Sequence, residues 1–192
     1  MFLIVGQGNP GPQYARSKHN VGFWVLDRLS SDFHPKGNAL IAEIRLQKRS
    51  GEWISGLLVK PTTFYNATGE AVAPLARYFK VPPERILVIH DELDLPPGRL
   101  RFKAGGSNAG NYGLESMAAH LGTRDFHRLR IGIGKPPSPE RGAGWVLSGF
   151  HPELLPVMEK VVATAAEAAK LWATEGLEAA QKQYNGLKLE QA

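Results

Sequence analysis

The chain has 192 residues, of which 43% are hydrophobic and 21% charged, a balance typical of one globular domain of ordinary size. It contains no cysteine, which excludes disulfides, thiolate zinc sites, iron–sulfur clusters and thiol nucleophiles. The net charge of +5 favours a polyanionic partner without saying which one.

The amino-terminal sequence MFLIVGQGNPGP carries a short apolar run with no basic leader, so we expect neither a signal peptide nor a membrane anchor. No later stretch approaches the roughly 18 apolar residues of a membrane helix. We therefore expect a cytoplasmic protein without a membrane partner.

Hydrophobic patterning predicts alternating strands and helices along the first half of the chain. In order, these elements are a buried strand at 2–5, a helix capped by Asn20 and extending to Leu29, a hairpin of strands 40–46 and 53–59, a helix at 71–79 and a strand at 85–91.

The second half continues the alternation and ends in a helical region. Its predicted elements are a strand at 99–104, a short helix at 114–121, a strand at 129–133, a loop at 134–144 and one long amphipathic helix from about residue 152. The pattern predicts an α/β fold for residues 1–192: a single domain with a twisted mixed β-sheet flanked by helices on both faces. Ligands of such sheets meet the carboxyl ends of strands, which points to the loops after Val5, Ile89 and Ile133.

The loop GQGNPG after the first strand satisfies the G-x-G-x-x-G pattern of a dinucleotide site. We reject that interpretation because Pro10 and Pro12 interrupt the turn and the next helix begins only near Asn20. The loop is either a tight turn or a ligand loop. Asn9 favours the ligand loop, since its amide offers both a donor and an acceptor at the apex.

His19 and Asp91 are the candidate catalytic pair. Asp91 ends the strand RILVIHD, where a carboxylate can orient a histidine and stabilise its protonated form. His90 points to the opposite face of that strand and is expected to be structural. Without cysteine or a G-x-S-x-G motif, the pair indicates direct attack by water. The acidic cluster after His90 lacks H-E-x-x-H spacing, so no metal site is predicted.

The segment KPTTFYNATGEAV places Asn66 after an aromatic pair, Phe64 and Tyr65, and before a helix. Asn66 is either part of a helix-capping region or a binding residue, and the two aromatics are either core residues or stacking platforms. The segment GGSNAGNYG is suited to present backbone amides to an anion or to the polar end of a substrate.

Three cations lie on neighbouring strands. Arg101 and Lys103 share one strand face by their spacing of two, and Arg130 belongs to the strand FHRLRIGIG. They form either a phosphate clamp or a solvated face.

Taken together and in order, four segments resemble the bacterial-type peptidyl-tRNA hydrolases. These are LIVGQGNPGPQYARSKHNVGFWVLD, KPTTFYNATGEAV, VIHDELDLPPGRLRFKAGGS and FHRLRIGIGKPP, which span most of residues 1–150. The resemblance implies a monomeric enzyme without cofactor or metal. It would cleave the ester between a peptide and the terminal ribose of tRNA, bind the acceptor stem and 3′ end, and release tRNA for reuse in translation.

Carried over by motif position, His19 resembles the general base, Asp91 the group that supports it, and Asn9 the residue that recognises the peptide. Lys103 and Arg130 resemble the phosphate clamp of the family. Asn66, with Tyr14 and Phe64, resembles the family's binding site for the peptidyl and terminal-nucleotide portion of the substrate. With the candidates that come from the residue patterns themselves, the expected substrate- and tRNA-binding residues are Tyr14, Phe64, Tyr65, Asn66, Asn111, Tyr112, Arg101, Lys103 and Arg130.

Several positions depart from the family pattern. Tyr112 stands where the motif G-H-N-G-L has the asparagine that helps to hold substrate or water, and Asn111 and Asn108 are the candidate replacements. Tyr65 replaces a common methionine but still offers an apolar wall, and Gln7 replaces a common leucine.

Tyr112 keeps open a second hypothesis, a non-hydrolytic RNA-binding protein on the same scaffold. A third hypothesis is a nucleotide or sugar-phosphate hydrolase. We expect the loop at 134–144, within a lid element near 134–150, and the helix after Pro152 to form a mobile lid beside the cleft.

Overall fold

Alternating apolar side chains build one seven-stranded mixed sheet in the computed structural model, which describes residues 1–190. The strand order is β2-β3-β4-β1-β5-β7-β6, and β4, β1, β5 and β7 run parallel to one another. The strands are Phe2–Gly6 (β1), His34–Lys36 (β2), Ala39–Gln47 (β3), Trp53–Pro61 (β4), Ile86–Glu92 (β5), Leu100–Ala104 (β6) and His127–Gly132 (β7).

Helices cover both faces of this sheet. They are Val21–Asp27 (α1), Thr68–Tyr78 (α2), Tyr112–Leu121 (α3), Gly142–Leu147 (α4), Leu155–Glu175 (α5) and Leu177–Tyr184 (α6). Short 3₁₀ turns precede several of them, including Lys18–Asn20 before α1 and Tyr65–Ala67 before α2.

The central strand β1 is buried on both sides, and its alternate residues supply two separate cores. Phe2 and Ile4 pack with α1, α5 and α6, while Leu3 and Val5 pack with α2 and α3. This arrangement confirms the predicted α/β fold with helices on both faces.

Helix α1 lies unusually close to the ends of β1 and β5. A Cβ at Gly22 would collide with the carbonyl oxygen of Ile89 and with the backbone of Gln7. Only glycine permits this approach, which brings the turn before α1 over the carboxyl end of the sheet.

Most predicted elements are confirmed, with boundaries shifted by up to three residues, as at the start of α2, which is Thr68 instead of residue 71. The hairpin forms with Gln47 opposite Trp53, and it is extended by the short edge strand β2, which is not apparent from the sequence. That strand has only exposed residues and therefore no apolar alternation.

Three predictions are wrong in detail. The region 134–144 is not all loop, because α4 begins at Gly142, and its Trp145 and Val146 pack on the core. The single long helix is two, since Gly176, at φ 95°, separates α5 from α6. Helix α1 ends at Asp27 rather than Leu29.

Asn20 occupies the cap position of α1, but its side chain makes no cap hydrogen bond. Instead, its Oδ1 accepts from the backbone N–H of Asn9 at 2.8 Å and its Nδ2 donates to the Asn9 carbonyl at 2.9 Å. The side chain therefore fixes the loop after β1 instead of the helix.

The chain after α6 folds over the edge strand β6. The Asn185 side chain accepts from the backbone N–H of Phe102 at 2.7 Å and donates to the Phe102 carbonyl at 3.2 Å. The backbone N–H of Leu189 donates to the carbonyl of Gly98 at 2.8 Å.

Candidate active site

A cavity of about 580 Å³ lies at the carboxyl ends of the parallel strands, where ligands of such sheets are expected to bind. The loop after β1, the turn after β4, the end of β5, the loop before α3 and helix α4 all contribute to it. The predicted site residues that line it are Asn9, His19, Phe64, Tyr65, Asn66, Asp91, Asn111 and Tyr112.

His19 and Asp91 form a close pair in this cavity. The Nδ1 atom of His19 lies 2.7 Å from Oδ2 of Asp91, and the Asp91 side chain is buried while that of His19 is 19% exposed. A carboxylate only accepts hydrogen bonds, so Nδ1 carries the proton and Nε2 of the neutral ring has the free lone pair. The pair has the geometry of a base oriented by an acid.

Tyr65 contacts both members of this pair. Its ring stacks on the imidazole of His19, with centroids 3.5 Å apart and planes 7° from parallel. Its hydroxyl donates to Oδ1 of Asp91 at 2.6 Å and accepts from Nδ2 of Asn111 at 2.8 Å. Burial, followed by the charge of Asp91, raises the pKa of Tyr65 well above its usual value, which keeps the phenol neutral. The sequence predicts a binding residue or an apolar wall at Tyr65, and it gives no sign of these hydrogen bonds.

Asn9 is held from two sides. Asn20 binds its backbone, and its own Oδ1 accepts from the backbone N–H of Tyr65 at 2.7 Å. This leaves Nδ2 as the side-chain polar atom of Asn9 that has no partner within residues 1–190. Because Asn9 lines the cavity, that N–H group is available to an acceptor there.

Aromatic side chains form the rim of the cavity. Phe64 is 59% exposed and Tyr112 is 75% exposed. Tyr14 does not line the cavity, but packs edge-to-face on Phe64 with centroids 6.5 Å apart. Asn66 lies beside Phe64, is exposed and makes no cap hydrogen bond to α2. Exposed aromatics of this kind suit the stacking of an unpaired base.

Asn111 and Asn108 are the two candidate replacements for the family asparagine, and neither has an amide that is free and accessible to solvent. Asn111 caps α3, because its Oδ1 accepts from the N–H of Leu114 at 3.0 Å, and its Nδ2 is engaged by Tyr65. Asn108 lines the cavity, but both of its amide atoms are shielded from solvent and have no partner in the described part of the chain. Neither side chain therefore presents an accessible amide in this structure.

The predicted cations lie together on the next two strands, on the sheet face that carries α3. Arg101 pairs in register with Arg130, and Lys103 pairs with Arg128. Nη1 of Arg130 lies 3.6 Å from Oε1 of Glu92, and Glu92 lines the cavity. The three predicted cations themselves are not among the described residues that line it. Burial, then the charges of Arg128 and Arg130, lower the pKa of Lys103. This concentration of positive charge favours the binding of an anion.

Arg128 was not identified from the sequence. It lies two residues before Arg130 on the same strand face, and nothing in the local pattern shows that Arg128 is buried. It is 1% exposed and donates to the carbonyls of Ser107 at 2.8 Å and Gly106 at 3.2 Å. Burial lowers its pKa to about 10. These two hydrogen bonds hold the backbone of the loop that leads to Asn108 and Asn111.

Lys18 was also missed, although it adjoins His19. Its ammonium contacts Ser148 Oγ at 2.8 Å and the Gly149 carbonyl at 2.9 Å, and lies 3.8 Å from the centre of the Trp145 ring. Burial lowers its pKa. These contacts hold α4, whose Val146 lines the cavity, against the turn that carries His19.

His90, next to Asp91 on β5, is buried and is also among the residues that line the cavity. Its Nδ1 donates to the carbonyl of Asp91 at 2.8 Å, and desolvation lowers its pKa. Within residues 1–190, no group of three or more His, Cys, Asp or Glu side chains is placed to hold a metal ion. The same residues include no helix with the length and apolar character needed to cross a membrane.

Comparison with known proteins gives one consistent family. A family model described as peptidyl-tRNA hydrolase matches residues 3–192. A peptidyl-tRNA hydrolase of Thermus thermophilus is 60% identical over 189 residues, covering 98% of both chains. One of Desulfitobacterium hafniense is 44% identical, covering 96% of this chain and all 100% of the relative. The crystal structure of the Acinetobacter baumannii peptidyl-tRNA hydrolase superposes with a TM-score of 0.88 at 35% identity, covering 99% of this chain and 97% of that one.

Proposed function

The chain belongs to the peptidyl-tRNA hydrolase family and is an ester hydrolase of peptidyl-tRNA, and we propose that His19 and Asp91 carry its hydrolytic step. The observation that supports this most directly is the hydrogen bond of 2.7 Å between His19 Nδ1 and Asp91 Oδ2, which leaves Nε2 free in the cavity.

In the proposed reaction, His19 Nε2 removes a proton from a water molecule while the water oxygen attacks the ester carbonyl carbon. Asp91 stabilises the imidazolium that forms. The tetrahedral intermediate then collapses and the bond to the ribose oxygen breaks. The leaving oxygen takes the proton from His19, which gives a peptide with a free carboxyl group and a tRNA with a free terminal hydroxyl.

Asn9 is proposed to stabilise the oxyanion of this intermediate. Its Nδ2 is the free donor, and the hydrogen bonds that Asn9 forms with Tyr65 and Asn20 fix the orientation of the residue before substrate arrives. A preorganised donor of this kind needs no reorganisation at the moment of reaction. Asn66 is a second amide at the rim and is proposed to contact the peptidyl portion of the substrate.

The remainder of the site is proposed to hold the tRNA. Phe64 and Tyr112 form an exposed aromatic rim, with Tyr14 packed on Phe64, and this rim suits the terminal base. Lys103, Arg101 and Arg130 suit a phosphate of the acceptor stem. The net charge of +5 agrees with this partner. We further propose that the protein acts as a monomer in the cytoplasm, where translation supplies peptidyl-tRNA.

The non-hydrolytic alternative depends on Tyr112, and the structure gives it no further support. Tyr112 is 75% exposed at the rim and does not displace Asn9, His19 or Asp91 from the cavity. The alternative of a metal-dependent phosphate-ester hydrolase finds no cluster of three carboxylate or imidazole ligands among residues 1–190.

The test is hydrolysis of a purified N-blocked aminoacyl-tRNA beside the free aminoacyl-tRNA, with a chelator present. We expect the wild type to cleave only the blocked substrate, His19→Ala to bind without cleaving, and Tyr112→Asn to retain activity. Tight binding by the wild type without any cleavage would instead support the RNA-binding alternative.

A further inference from the structure

We propose that Tyr65 is a positioning residue of the hydrolytic reaction, because its hydroxyl and its ring together fix the orientation and the charge of the pair formed by Asp91 and His19. This inference rests on the proposed function of that pair. It concerns a position where the family that the chain resembles commonly has methionine, which cannot donate a hydrogen bond.

The direction of the hydrogen bonds follows from the donor inventory of the groups. The N–H of Leu114 can only donate, so the atom of Asn111 that it meets must be Oδ1, and Nδ2 is the atom that faces Tyr65. Since Nδ2 also can only donate, the Tyr65 oxygen accepts there and its single proton goes to Asp91. The chain of donors therefore runs from the first turn of α3 through Asn111 and Tyr65 to the carboxylate.

Both oxygens of Asp91 are thereby engaged, one by Tyr65 at 2.6 Å and one by His19 at 2.7 Å. Because two donors on separate elements hold it, the buried carboxylate cannot rotate without losing a charge-assisted hydrogen bond. The imidazole is then restrained at its edge by Asp91 and on its face by the Tyr65 ring, which lies parallel to it with the centroids 3.5 Å apart.

The hydroxyl also draws negative charge away from the oxygen that meets His19. Hydrogen bonds in a buried network polarise one another, so a carboxylate that accepts from a phenol attracts an imidazolium less strongly than one that does not. Removal of the hydroxyl is therefore expected to strengthen the attraction between Asp91 and an imidazolium, and so to change the pH dependence of hydrolysis. Burial raises the pKa of Tyr65, so the donor persists through the working pH range.

The experiment compares the pH dependence of kcat/KM for the wild type, Tyr65→Phe, Tyr65→Met and Asn111→Ser on an N-blocked aminoacyl-tRNA. Tyr65→Phe keeps the stacked ring and removes the hydroxyl, whereas Tyr65→Met removes both. Asn111→Ser keeps an oxygen to cap α3 and removes the donor to Tyr65. Tyr78→Phe, at an exposed tyrosine on α2, is the matched control and should leave the profile unchanged.

For Tyr65→Phe we expect kcat/KM to fall about tenfold at neutral pH. We also expect the midpoint of its acid limb to move up by about half a pH unit. Tyr65→Met should lose more activity, and Asn111→Ser should move the midpoint in the same direction by less. Tyr65→Phe also leaves Asp91 Oδ1 and Asn111 Nδ2 without their partner, so its urea midpoint should fall.

A purely structural role would lower the urea midpoint of Tyr65→Phe but leave the position of the acid limb unchanged, and this result would overturn the inference. Asn111→Ser retains Tyr65 and the helix cap, so it tests the chain of donors even if Tyr65→Phe fails to fold. His19→Ala distinguishes a failure of the proposed function from a failure of the role inferred for Tyr65. An inactive His19→Ala beside a Tyr65→Phe with a wild-type profile refutes the role of Tyr65 alone, whereas an active His19→Ala refutes the proposed function and this inference with it.

Discussion

The ammonium of Lys18 binds Ser148 Oγ at 2.8 Å, so the residue before the candidate base also fixes the end of the segment that covers the cavity. The same ammonium reaches the carbonyl of Gly149 and the ring of Trp145. A buried cation with several partners is strongly destabilised when they are lost, so we expect this contact to hold α4 against the turn that carries His19.

We predict that Lys18→Met frees α4 from the turn that carries His19. Amide hydrogen exchange over residues 142–149 should then become at least several-fold faster, while exchange in the sheet stays as in the wild type. The control is Lys182→Met, at an exposed lysine on α6. The contradicting result has two parts. Exchange over residues 142–149 of the wild type would be as slow as in the sheet, and Lys18→Met would leave it unchanged. The segment would then not be a lid held by Lys18.

His19→Ala should abolish turnover and leave tRNA affinity nearly intact, because the imidazole acts on the water and not on the nucleic acid. We expect kcat to fall by about 10²- to 10⁴-fold. Single-turnover hydrolysis and equilibrium binding of the tRNA are the two measurements. Equal losses of binding and turnover would show that His19 serves mainly in recognition.

Lys103→Ala should weaken tRNA binding and make it less dependent on salt. Loss of one phosphate contact lowers the slope of log Kd against log salt by about one. Arg101→Ala tests the neighbouring position in the same way, and Lys182→Ala is the control at an exposed lysine on α6. An unchanged slope would remove the substituted residue from the phosphate clamp.

Gln7→Leu should stabilise the protein. Gln7 is fully buried, and neither its Oε1 nor its Nε2 has a partner within the described residues. Replacing an unpartnered buried amide with an apolar side chain of similar size removes a desolvation cost of about 1 kcal/mol or more. Urea denaturation of the two proteins measures the difference. A lower midpoint for Gln7→Leu would mean that the amide has a bound partner in solution.

Unfolding free energy should decrease as the pH falls below about 6.5, and His127 should contribute to this decrease. Burial is the main cause that lowers the pKa of His127 from 6.5, and Nε1 of Trp172 donates to its Nδ1 at 2.8 Å. The unfolded chain therefore takes up a proton at a higher pH than the folded chain does. Urea denaturation between pH 7 and 5 should show a shallower decrease for His127→Gln than for the wild type. Equal slopes would refute the contribution of His127.

The elements of the sheet could be predicted because their residues carry the information locally. The continuous apolar run at 2–5 indicates a strand buried on both faces, and the alternation of 40–46 with 53–59 sets the hairpin. The pairing of His19 with Asp91 could be anticipated from the position of Asp91 at a strand end.

Other features depend on contacts between distant segments, which no local pattern encodes. The burial of Lys18 is set by residues 145–149, and the hydroxyl of Tyr65 meets Asp91 only because β4 and β5 flank β1. Helix α4 was missed for a different reason. Its six residues GAGWVL are too short and too glycine-rich to show helical periodicity.

The two hydrogen bonds between the Asn185 side chain and Phe102 have a consequence for association between molecules. An exposed edge strand offers unpaired N–H and carbonyl groups on which another chain can add a strand, and this is a common start of aggregation. At β6, the side chain of Asn185 already occupies both groups of Phe102. At the opposite edge, β2 has only three residues and contains Pro35, which cannot donate. Both flanks of the sheet are thus protected against strand addition, one by a side chain from the same molecule and the other by its short length and its proline.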